Sequence, residues 1–110
     1  MGRPEADQPA YDDTIQAECG ITHVQNLING EPGFVGTIMA DKVAGMTALY
    51  ATMMALFHRD RTGQGQHVEG ALLPTALMLS NAFLIERELL QVDKPRMGNK
   101  GASVAPCDLY

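Results

Sequence analysis

Apolar positions fall into two long helical patterns, separated by polar, glycine-rich segments. Met39, Val43, Met46, Tyr50, Met53 and Phe57 recur at spacings of three and four, one face of an α-helix. Ala48, Leu49, Ala51, Met54, Ala55 and Leu56 fill much of the remaining circumference, so this helix is apolar nearly all round. Its polar residues collect at the end, His58-Arg59-Asp60-Arg61, and Gly63 supplies the stop. A second pattern runs from about Leu72 to Gln91, with Leu73, Ala76, Leu77, Ser80, Phe83, Leu84 and Leu90 inward. Its charges, Glu86, Arg87 and Glu88, are confined to the last turns. Between the two helices, Gln66–Ala71 is short enough for one strand.

The flanking segments are less regular. Residues 1–10 carry Pro4 and Pro9 and read as an irregular lead-in. A short helix is expected from about Tyr11 to Val24, capped by Asp12 or Asp13, with Ile15, Cys19 and Ile21 turned inward. Residues 28–36, INGEPGFVG, hold three glycines and a proline and form a loop. The tail from Val92, with Pro95, Gly98, Gly101 and Pro106, is loop as well. It reaches Cys107-Asp108-Leu109-Tyr110 where a strand is expected to begin. No internal repeat is present.

A helix that is apolar on every side has to be covered on every side. Two of them in 110 residues leave too little chain to do it, because small domains bury a modest fraction of their surface. The pattern therefore favours a piece of a larger protein over a self-contained unit, with extensive oligomerisation as the other solution.

Charge narrows the function. The formal net charge is −5, and all of it resides in residues 1–31, where Arg3 faces six acids. Seven bases and seven acids cancel in the remainder, so no face is basic enough to neutralise several phosphates and nucleic-acid binding is not expected. Cys19 and Cys107 lie far apart, outside any CxxC, and read as free thiols of a reducing compartment. His23, His58 and His67 match no metal-binding spacing. The apolar runs Ile38–Phe57 and Ala71–Ile85 are broken by Asp41, Lys42, Pro74, Ser80 and Asn81, so neither reads as a membrane span. The acidic opening MGRPEADQPAYDD is unlike a secretory signal, and a cytoplasmic location is expected.

The most distinctive string is Arg61-Thr62-Gly63-Gln64-Gly65-Gln66-His67-Val68. It contains a GxG, but Val68 stands where a dinucleotide fingerprint needs its third glycine. It also follows a helix and precedes the expected strand, the reverse of the phosphate-cradling order. By generic rules it is a helix stop and a tight turn.

Taken with its surroundings, the string resembles family III CoA-transferases of the formyl-CoA and carnitine CoA-transferase type. The resemblance is carried by Ala40-Asp41-Lys42 with Gly45, the apolar helix, and His58 through Glu69. Pro9-Ala10-Tyr11-Asp12 with Gln16-Ala17 and Gly20 upstream, and Gly98-Asn99 with Ala105-Pro106 downstream, follow the same order. The likeness covers the chain from Pro9 to Tyr110, about the central quarter of a typical member.

The resemblance implies an α/β fold with a Rossmann-like large domain, of which residues 1–110 would be a central fragment truncated at both ends, locally two apolar helices joined by a Gly-rich turn and a short strand. It implies a homodimer of interlocked subunits. It also implies transfer of CoA from an acyl-CoA thioester to a carboxylic acid through covalent intermediates on an aspartate, with no permanently bound cofactor. In relatives the CoA contacts come mostly from an amino-terminal half, and a downstream glycine-rich loop covers the site; the fragment alone is therefore expected to be inactive.

Counted from Gly65, the position of the family's nucleophilic aspartate falls on Pro74, which has no carboxylate and suits a helix start. By this count the chain has no catalytic residue. Glu69 is the nearest acid, but on a strand with Val68 inward it would point away. Asp41, Lys42, Val43 and Ala44 match positions along the CoA cleft; Asp41 also simply suits a helix N-terminus. The related racemases use a histidine that falls here on Tyr11, a phenol poorly suited to accept a proton at neutral pH. A non-catalytic acyl-CoA binder and a stand-alone helical interaction module are the alternative readings.

Overall fold

The computed structural model describes residues 8–91 and 94–100. Four helices follow one another: α1 (Asp12–Glu18), α2 (Ile21–Asn29), α3 (Met39–Thr62) and α4 (Leu72–Leu90). Asp12 and Asp13 occupy the first turn of α1, where the helix dipole favours acids. The single helix expected over Tyr11–Val24 is two helices. Gly20, at φ 80°, turns the chain between them, and its N–H bonds the Ala17 carbonyl at 3.2 Å. A left-handed residue ends a helix by satisfying its last carbonyls, and glycine adopts that conformation without the Cβ clash. α2 then runs to Asn29, so the loop begins at Gly30 rather than Ile28.

The long apolar helix is where its periodicity puts it, and it stops at Gly63, whose N–H bonds the Arg59 carbonyl at 2.8 Å. α4 begins and ends within a residue of expectation. The strand expected at Gln66–Ala71 is not formed, and no strand occurs among the described residues. The segment runs without regular structure into an extended Ala71. A strand exists only by pairing, and no paired segment occurs among the described residues. The described part of the fold is therefore helical, and the Gly-rich turn joins α3 to α4 through an irregular connection. Cys107 and the strand expected around it lie outside the described residues.

The core is small. Ile15, Cys19 and Ile21 meet Ala40 of α3 and Ala76 of α4, with Val35, Met39, Leu72, Leu73 and Leu77 packed around them. The two alanines are fully buried, so the helices approach closely there. Ser80, 2% exposed, donates its hydroxyl to the Cys19 carbonyl at 2.7 Å and ties α4 to the end of α1.

Beyond Ala40, α3 is largely bare. Met46, Tyr50, Met53 and Phe57, four of the six residues on its predicted inner face, are each more than half exposed. Leu84 and Leu90 of α4, also expected inward, are exposed. The accessible surface is 8527 Å², against ~6000 Å² for a compact monomer of this mass.

Candidate functional site

The first turn of α3 carries Asp41, Lys42, Val43 and Ala44. Asp41 and Lys42 are exposed, while Val43 and Ala44 are half-buried. This turn has no cap of its own, because the N-cap residue is Ile38, whose side chain has no acceptor. The acceptor comes from α1 instead. Asp12 Oδ1 accepts the Asp41 N–H at 3.1 Å, as a local cap would at the third helical position.

Asp12 is held in turn by Gln16, one turn along α1, whose Nε2 donates to Asp12 Oδ2 at 2.6 Å. Gln16 is 1% exposed. Its Oε1 accepts the Val35 N–H at 2.8 Å, and its Nε2 also reaches the Thr37 carbonyl at 3.3 Å. Lys42 Nζ donates to Thr37 Oγ1 at 2.6 Å. Partial burial alone would raise the Asp12 pKa. The hydrogen bonds from Gln16 and from the Asp41 and Ala40 amides, with the charge of Lys42, outweigh it and hold the carboxyl below the ordinary aspartate value.

Pro74 lies elsewhere. It stands in the first turn of α4, where a missing N–H is no loss, and is exposed. It lines an open hollow with Thr47, Glu69, Gly70 and Thr75. Asp41 does not line that hollow, and Thr47 is six residues further along α3, ~9 Å on the axis. Asp41–Ala44 thus share the first turns of α3 and do not line the hollow that Pro74 lines.

Glu69 is exposed while Val68 is half-buried; Glu69 Oε1 lies 3.9 Å from His67 Nε2 in a loose pair at the surface. Tyr11 is 69% exposed at the start of α1. His23 and His58 are exposed on α2 and α3. Among the described residues no three His, Cys, Asp or Glu side chains gather as a metal site would need, and no helix is long and apolar enough to cross a membrane.

Residue periodicity did not single out Gln16 as the hub of this arrangement. Asp12 and Gln16 both belong to the string that carries the family resemblance, and their spacing of four lets a carboxylate and an amide meet on one helix face.

The profile of CoA-transferase family III matches residues 1–110. Acetyl-CoA:oxalate CoA-transferase of Acetobacter aceti is 31% identical over 108 residues, covering 97% of this chain and 28% of that protein. Succinate–glutarate CoA-transferase of Agrobacterium fabrum is 31% identical over 108 residues, covering 96% of this chain and 26% of that one. The crystal structure of a CAIB/BAIF family protein from Brucella suis superposes with a TM-score of 0.77 at 30% identity, over 96% of this chain and 28% of its own. The chain therefore spans about a quarter of the length of the relatives it matches. Matched from its first residue to its last, on helices that superpose on a solved relative, the chain belongs to CoA-transferase family III.

Proposed function

We propose that residues 1–110 form the central part of a longer α/β, Rossmann-like subunit that moves CoA from an acyl-CoA thioester to a carboxylic acid. In this reading Asp41, Lys42, Val43 and Ala44 line the CoA cleft, and the fragment alone is inactive. The observation that carries it is the family match over the whole chain, together with an exposed first turn of α3 that presents a carboxylate beside an ammonium group. Lys42 offers a positive charge to a phosphate, and the amino end of a 24-residue helix favours an anion.

The chemistry needs a carboxylate, and Pro74 supplies none. We take Asp41, which stands on the turn assigned to CoA, as the substitute, with Glu69, which lines the hollow beside Pro74, as the competing carboxylate. The Asp41 carboxylate oxygen attacks the thioester carbonyl and CoA thiolate leaves, giving a mixed anhydride. Thiolate then attacks the aspartyl carbonyl, releases the donor acid and forms an aspartyl–CoA thioester. The acceptor carboxylate displaces CoA in the same way. The thiolate returns to the acceptor's carbonyl, and the aspartate is regenerated with no net proton consumed.

Relatives are named for oxalate and glutarate, so small dicarboxylic acids are the acceptor class to test first. The bare apolar face of α3 supports burial against the rest of the subunit and a sister subunit; the homodimer and its cytoplasmic location are part of the proposal. Incubating the full-length protein with acetyl-CoA or succinyl-CoA and a panel of dicarboxylates should give the acceptor's CoA thioester by mass spectrometry. No exchange with any donor and acceptor would favour a second reading, a non-catalytic acyl-CoA binder, which the proline at position 74 supports.

A further inference from the structure

We propose that the Gln16–Asp12 pair is a positioning device: it sets the first turn of α3, and with it Asp41 and Lys42, in the orientation that thioester attack requires. The inference rests on the function proposed above for that turn.

A buried position on α1 beside Ile15 and Cys19 would be served for packing by leucine. A buried amide is costly unless its polar atoms are partnered. Gln16 is 1% exposed, and its bonds run in two directions. One goes to Asp12 on its own helix, and two go to Val35 and Thr37 in the loop entering α3. Asp12 uses its other oxygen to hold the Asp41 amide. The Thr37 carbonyl also accepts the Met39 N–H at 2.8 Å, and the Thr37 hydroxyl holds Lys42. The entry loop and the start of α3 thus share one polar anchor, which holds Asp41 by its backbone N–H and reaches Lys42 through Thr37.

Packing fixes the position of this end of α3 through Ala40 and Met39, and the turns after them are mostly exposed. The hydrogen bonds add the directional restraint on the first turn that apolar contacts do not supply. Reaction rates fall steeply when a reacting group is misplaced by about 1 Å, so a charge-assisted anchor at this point bears on the chemical step beyond what it adds to stability.

Gln16→Leu keeps the apolar packing and removes the anchor. Amide exchange of Asp41 in the unliganded full-length protein should speed up by roughly tenfold, the loss of one good hydrogen bond. In the transfer assay kcat should fall by about as much while KM for acyl-CoA changes little. The double variant Asp12→Asn with Gln16→Glu reverses donor and acceptor. The amide introduced at position 12 still accepts from the Asp41 N–H through its oxygen and donates to the new carboxylate, which accepts from Val35, while the Thr37 carbonyl loses its side-chain donor. This variant should recover part of the protection and of kcat, whereas Asp12→Asn alone, with two amide NH2 groups facing each other, should not.

Wild-type kcat and Asp41 protection in Gln16→Leu would overturn the proposal, as would a double variant no better than Asp12→Asn. If Gln16→Leu fails to fold, the comparison of the double variant with Asp12→Asn decides. Amide protection needs no substrate, so a wild-type protein without transfer activity would sink the proposed function and leave the positioning result readable.

Discussion

Ser80 brings its hydroxyl to the place where α1 runs out of partners, donating to the Cys19 carbonyl at 2.7 Å with 2% of its surface exposed. Ser80→Ala leaves that carbonyl unsatisfied and should cost ~1–2 kcal/mol in urea unfolding; an unchanged midpoint would mean the bond contributes nothing net. Asp12 acts through charge as well as geometry. Its carboxyl titrates below the ordinary value of 3.8, so in the acid range the unfolded chain binds more protons than the folded one. Its contribution is therefore complete above that ordinary value and is lost as pH falls through the lower, folded one. Acid unfolding of Asp12→Asn should lack this component, and the two proteins should converge at the acid end; parallel curves would contradict it. Neither role was legible beforehand in full. The sequence shows Asp12 and Gln16 on one helix face, but their other partners are Val35, Thr37 and Asp41, brought there by long-range packing that no local pattern encodes.

At the scale of elements, periodicity and glycine punctuation carried α3 and α4 to within a residue of their ends. Gly63 was readable as a stop because the apolar pattern ends at Phe57 and a polar run leads from it to the glycine. Gly20 was not, since Ile15, Cys19 and Ile21 run past it as one apolar series that two short helices satisfy equally well. The strand at Gln66–Ala71 depended on a partner strand, which the described residues do not contain. The proposal of Asp41–Ala44 as site residues came from family resemblance rather than from spacing, and the structure adds the Asp12 cap on that turn. Gly45 follows directly on this turn, and a methyl group built there meets nothing within 4 Å. Gly45→Ala should stabilise α3 by ~1 kcal/mol, read as a higher thermal midpoint. If CoA lies along this face, the same substitution should raise KM for acyl-CoA in the full-length protein. A lower midpoint would mean an unseen neighbour occupies that space.

For the molecule as a whole, apolar surface is the dominant fact. The radius of gyration is 17.6 Å, against ~13 Å for a compact chain of this length, and α3 leaves Met46, Tyr50, Met53, Met54 and Phe57 uncovered. Patches of this extent mark interfaces. Sedimentation of the 110-residue chain alone should show concentration-dependent association; a compact, non-associating monomer would contradict the exposed helix.

The most direct test of covalent transfer at the start of α3 is chemical trapping. The full-length protein is incubated with acyl-CoA and then hydroxylamine, and the modified peptide is located by mass spectrometry. A hydroxamate on Asp41, absent without donor, is the expected result; a label on Glu69, or none while CoA is still being transferred, would contradict the assignment.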